Sequence, residues 1–393
     1  MKRRHALECC IAGMVLAAPG LAFGQIYAMM NYETKSPDSL KVLKTPVPTG
    51  PRKDGIAVID VDPQSKGFGK IVQDMPIPPD FMSHHLFYNR DQTKIYVTSL
   101  GKGEIRVIDM KKTPYAMKVV AVPDCQVGED VVFSDDNKTW YLSCMGNQTV
   151  VIGNAVTDQP TKSVKVGVPY PHGVAVSPSI DRMLTTGTVR ASDGGDAGEM
   201  ISEVQVSTGK VVNSYKVSNK PSPSGEAPVE ILFVPGVNPP MAYVTNLYGG
   251  TLWLMRWNTD KKAFDVSQAH DFAGENSGVP LEMYFSKDLD RMYVTTGKPG
   301  SMHIFDTSDI TSPKLIKSIP AAEGSHHVAF TKDGRYAYVQ NALLNLPGLS
   351  DGSITVVDLK EGKPVKSMDT LKMMGLNANC VVLLPKWNDP KGH

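Results

Sequence analysis

The chain of 393 residues carries 41 Lys and Arg against 40 Asp and Glu, with 21% of its residues charged. So even a balance gives no electrostatic case for nucleic acid or an anionic membrane surface. The sequence also has no nucleotide loop, nucleophile elbow, haem-attachment Cys-x-x-Cys-His or EF-hand loop.

The first predicted element is a leader. Lys2, Arg3 and Arg4 precede an apolar run over residues 6–20, and Ala22-Phe23-Gly24 supplies a small-x-small cleavage site. This predicts a secretory signal over 1–24 and a periplasmic mature protein without a membrane anchor, because the run is too short to span a bilayer. The Arg3-Arg4 pair hints at twin-arginine export. Removing the leader takes the formal charge from +1 to −1 and leaves three cysteines, Cys125, Cys144 and Cys380. A hairpin turning at 135–138 would bring Cys125 opposite Cys144, so a disulfide is expected there, with Cys380 the odd thiol.

Residues 25–393 read as one all-β domain. IYVTSLGKGEIRVIDM (95–110) recurs as MYVTTGKPGSMHIFDTSD (292–309), and AYVTNLYGGTLWLMRWN and YAYVQNALL fit the same mould. Alternating β-branched and aromatic residues between Gly, Asn and Asp turns predict antiparallel strands, and the repetition predicts blades of a propeller. Aligning the first strand of each repeat puts His85, Asp130, Gly173, Glu230, Glu282, His327 and Cys380 in register, at intervals of 45, 43, 57, 52, 45 and 53 residues. The seventh copy begins at Leu376 and lacks its later strands. IYAMMNY, GIAVIDVD and KIVQDMPIP supply them from the other end, so a seven-bladed β-propeller closed by N- and C-terminal strands in one blade is expected.

The register position and the residue before it form seven pairs: His84-His85, Glu129-Asp130, His172-Gly173, Val229-Glu230, Leu281-Glu282, His326-His327 and Asn379-Cys380. Five of the chain's nine histidines fall in these fourteen slots, where chance placement gives about 0.3. Strand alternation predicts one member of each pair facing the channel and the other facing between blades. A ring of His84, His85, His172, His326 and His327 suits a transition metal, with Glu230, Glu282 and Cys380 as candidate catalytic groups. The competing readings are histidines that close the pore on backbone carbonyls, carboxylates that cap strand amides, and a buried, inert Cys380. His270 and His303 lie outside the register and read as ordinary surface or strand residues.

The repeat resembles the Tyr-Val-Thr-Asn family of bacterial propellers. AVIDVDPQSKGFGKIVQDMPIPPDFMSHH (57–85) also resembles the opening of the selenium-binding protein family, which includes bacterial methanethiol oxidases, and APVEILF and VPLEMYF are similar to its Pro-Leu-Glu-Ile-Arg-Phe segment. The resemblance implies a periplasmic, copper-dependent oxidase that converts methanethiol, oxygen and water to formaldehyde, hydrogen sulfide and hydrogen peroxide. His84 and His85 carry over as metal or active-site residues, and the other three histidines join them from the repeat alone. Two alternatives remain at this stage. One is a non-catalytic scaffold whose loops at 187–200 and 341–352 bind a protein or electron-transfer partner; the other is a hydrolase or lactonase using a hard ion.

Overall fold

The computed structural model describes residues 25–34, 52–189, 197–346 and 348–390. The leader at 1–24 and half of the 187–200 loop, residues 190–196, lie outside these residues. The repeated Tyr-Val-Thr runs form the second strand of each blade, as in Lys94–Ser99 and Arg291–Lys298. Seven antiparallel sheets result. The seven inner strands are Ser83–Tyr88, Gly128–Phe133, Pro171–Ser177, Pro228–Phe233, Gly278–Phe285, Ser325–Thr331 and Leu376–Leu383, for blades one to seven. Each inner strand packs against the next, and the last packs against the first, so the sheets close into a ring.

Closure follows the expected route. Blade seven takes its inner strand from the end of the chain and its outer three from the start, Tyr27–Thr34, Asp54–Asp60 and Ile71–Ile77, with Asn31 paired to Cys380. One feature goes beyond the expectation. Asn388–Asp389 adds a fifth strand to blade six, paired with Phe330 and Thr331. It covers the inner edge of that blade at the end of the channel away from His326 and His327.

Apolar side chains of adjacent blades interdigitate between the sheets. Phe87 and Tyr96 of blade one, for example, meet Phe133 and Trp140 of blade two. Trp140 and Tyr96 are fully buried, and burying each large side chain contributes about 2–3 kcal/mol. A disulfide links Cys125 to Cys144, and Cys380 is the one free cysteine among the described residues.

The inner strands share an irregularity that decides where the site residues point. In blades one to six the pairing slips at the same place, between Ser83 and Leu86, Gly128 and Val131, Pro171 and Val174, Pro228 and Ile231, Pro280 and Met283, and Ser325 and Val328. Each slip sets two inner-strand residues against one on the second strand, which defines a β-bulge. Those two residues are the register pairs. In blade seven the slip leaves Asn379 as the extra residue.

A candidate metal centre at the channel mouth

The bulge overturns the expected alternation in blades one and six. Inside it, neighbouring side chains need not point to opposite faces, and both histidines of each pair turn to the channel. His84 and His85 stack with centroids 3.8 Å apart, and His326 and His327 lie 4.2 Å apart. His85 then meets His327 at 4.4 Å and His326 at 5.7 Å, across the closing blade. Blade two keeps the alternation. Glu129 faces the channel, while Asp130 turns between blades and accepts the Val174 N–H at 2.8 Å. Blade three has no room for a second side chain, since a Cβ on Gly173 would lie 2.7 Å from the Val229 carbonyl.

Two tiers result. The first members of the pairs, His84, Glu129, His172, Val229, Leu281 and His326, line the floor of the mouth. Beneath them lie His85, Glu230, Glu282 and His327, all buried.

One polar bank runs through the carboxylates. Glu129 Oε1 lies 2.7 Å from His84 Nε2 and 2.8 Å from His172 Nε2, and His172 Nδ1 lies 2.9 Å from Glu230 Oε1. Burial alone would push His172 down, but Glu129 and then Glu230 outweigh it and hold its pKa well above the usual value. For Glu129, burial is likewise outweighed by the His84 and His172 charges, so it is held well below the carboxylate range. On the other bank Glu282 Oε1 sits 3.2 Å from His326 Nε2 and 3.7 Å from His327 Nδ1.

His85 stands between the banks and differs from its neighbours. It is 1% exposed, and neither ring nitrogen has a hydrogen-bond partner. Burial first, then the surrounding histidines, push its pKa well down, so the ring is neutral and offers a lone pair. His84 and His326 each leave Nδ1 without a partner. Buried polar atoms are normally satisfied, and the clustering of unsatisfied ones here makes this a candidate ligand site. His85, His326 and His327 hold one ligand atom each within 4.8 Å of one another, as do His84, His85 and Glu129.

The residue opposite each bulge fixes the tier. Thr98, Ser143, Thr186, Thr245, Thr295 and Gln340 accept the N–H of His85, Asp130, Gly173, Glu230, Glu282 and His327 at 2.9–3.3 Å. Several also donate to the next blade. Thr186 reaches the Val229 carbonyl and Thr245 the Leu281 carbonyl, both at 2.7 Å, while Asn31 of blade seven reaches the His84 carbonyl at 2.7 Å. Asp54 adds a clasp before the first pair, accepting both the N–H and the hydroxyl of Ser83 at 3.1 Å.

Other candidates fall elsewhere. Cys380 lies below the tiers, packed against Leu86 in the core, and neither set of ligand atoms includes it. Burial pushes its thiol up to about 12. His270 pairs with Glu275 at 3.0 Å, and His303 is fully buried between Thr296 and Ser318, 2.9 and 2.8 Å from their hydroxyls. His303 is thus a satisfied strand residue. Sequence reasoning placed Glu129 in the ring without giving it a role, although its register position was the signal. It missed Tyr284, which is buried beneath Glu282 and accepts the Val328 N–H at 2.9 Å. It missed the threonine belt as well.

Above the upper tier the mouth becomes apolar. Leu343, Leu346 and Leu349 of the 341–352 loop cross from blade six to pack near Val229 and Leu281. They help enclose a cavity of about 120 Å³ whose walls, among the described residues, include no Lys or Arg.

No family model matches the chain. A curated methanethiol oxidase from Hyphomicrobium sp is 20% identical over 323 residues, which cover 75% of this chain and 73% of that protein. A hypothetical selenium-binding protein from Sulfolobus tokodaii superposes with a TM-score of 0.70 at 13% identity, over 94% of this chain and 96% of that one. A functionally unknown protein from Desulfotomaculum acetoxidans gives a TM-score of 0.59 at 14% identity, over 86% and 95% of the two chains. The structural likenesses establish the shared fold. With the curated relative they bear out the resemblance read in the sequence: the chain is a seven-bladed propeller with oxidase-like relatives of the methanethiol oxidase and selenium-binding protein type.

Proposed function

We propose that the protein is a periplasmic, copper-dependent oxidase of a small, neutral thiol, working at the histidine tiers. The observation that carries this reading is His85. A fully buried neutral imidazole with two orphaned ring nitrogens, ringed by His84, His326 and His327, wastes hydrogen-bonding capacity unless a cation takes it up. Three imidazoles of one set favour a soft or borderline metal over calcium or magnesium, which disfavours a hard-ion hydrolase. Bound copper would supply a thiolate site and electron exchange with dioxygen.

The chain's own residues supply the rest. The leucine-rich mouth admits a neutral apolar molecule and sheds its water. A cavity near 120 Å³ suits a substrate of few heavy atoms, since a dry cavity of about 150 Å³ holds benzene. A thiol entering along this path loses its proton towards the carboxylate bank, where Glu129 and Glu230 share His172 as a proton relay. Glu282 holds a second proton position between His326 and His327. The curated relative's name and the apolar, leucine-lined mouth both support methanethiol as the first substrate to try.

The test uses protein matured in the periplasm with copper, measuring bound copper and the sulfide and peroxide formed from methanethiol in air. Wild type should hold copper and turn over, and His85→Ala should lose both. Wild-type protein without bound metal, or copper-loaded protein inert towards thiols, overturns the reading.

A further inference from the structure

The histidine tiers contain more ligand atoms than one ion can use. The first set, His85, His326 and His327, spends one nitrogen of His85. The other nitrogen is equally without a partner, and the two point away from each other on opposite edges of the ring. The other set, His84, His85 and Glu129, is buried as well and shares His85 with the first. A single ion leaves one His85 nitrogen orphaned in a dry interior, where an unmade hydrogen bond is costly.

Building on the proposed metal-dependent oxidase, we propose that the mouth holds two transition-metal ions. The second is bound by His84, His85 and Glu129, and His85 bridges the pair through its two ring nitrogens. Bridging removes the last ring proton of His85, which leaves to solvent as the ions bind. The local charge accommodates this, because Glu129, Glu230 and Glu282 all lie around the two positions. His172 grips Glu129 from behind at 2.8 Å and orients it, as an outer partner does for a ligating carboxylate. Two imidazoles and a carboxylate suit copper or zinc, so the second position takes a cation of the same class as the first.

The full-length protein, Glu129→Ala, Glu129→Gln and His326→Ala are loaded with copper(II), desalted, oxidised with ferricyanide and compared. Near-UV circular dichroism confirms that each is folded, and Glu129→Gln keeps the shape of the site. Copper per chain comes from elemental analysis and spin per chain from double-integrated electron paramagnetic resonance. The expected result is two copper ions in wild type with spin well below the copper content, through coupling across His85. Each variant should hold one ion with spin equal to copper. One ion in wild type overturns the second site and leaves the oxidase reading standing. Two uncoupled ions, or two ions retained in every variant, overturn the bridge and the ligand assignment. No bound copper in wild type defeats both.

Discussion

His85 and His303 are two fully buried imidazoles with opposite solutions to burial. Thr296 and Ser318 satisfy both nitrogens of His303, whereas neither nitrogen of His85 has a partner and its ring packs against Phe87 and other imidazoles. The sequence separates them by register alone, and register sufficed to single out the five channel histidines. What it could not show is how completely the partners of each ring are provided, because those partners lie on other strands. Burial lowers the His303 pKa to about 4, against an ordinary 6.5. The folded protein keeps it neutral while the unfolded chain protonates it, so its contribution to stability is intact above pH 6.5. That contribution is lost as pH falls towards 4, reaching about 3 kcal/mol by linkage. Urea unfolding of wild type and His303→Gln at pH 7 and pH 4.5 should show the variant losing less stability between the two. Equal losses would show that the acid sensitivity comes from other groups.

At the scale of the strand, the bulge turns a repeat motif into a support for the site. The threonine of each Tyr-Val-Thr run is the residue that faces the bulge: Thr98 beneath His85, Thr245 beneath Glu230 and Thr295 beneath Glu282. The motif read from the sequence as a mark of fold alone therefore also orients ring residues. Strand alternation failed at His84-His85 and His326-His327 because a bulge carries no hydrophobic signature of its own. Its trace in the sequence is the polar residue on the partner strand, which reads as ordinary strand composition. Thr98→Val keeps the shape and leaves the His85 N–H without an acceptor. It should cost about 1–3 kcal/mol in chemical denaturation and weaken metal retention on dialysis against a chelator. A variant as stable as wild type, with unchanged retention, would remove the belt from the account of the site.

For the whole molecule, seven blades and their mixed-terminus closure were legible because period-two strands and turns repeat along the entire chain. The extra strand at Asn388–Asp389 and the crossing of the 341–352 leucines were not, since both depend on where distant blades come to lie. The Cys125–Cys144 bond, expected from one hairpin, closes a loop with a sequence separation of 19. Reducing it, or replacing both cysteines by alanine, should lower stability by about 3 kcal/mol on thermal or urea unfolding. No change on reduction would mean that the unfolded chain gains nothing from the tether. Ring closure also has a temporal meaning. His84 and His326 belong to blades that both abut the seventh, whose inner strand Leu376–Leu383 emerges from the ribosome after every other residue of the tiers. Until that strand docks, the two histidine banks have no fixed distance between them. The proposed metal centre would therefore act as a checkpoint on ring closure: a chain stopped before residue 376 carries all five histidines and is expected to hold no metal.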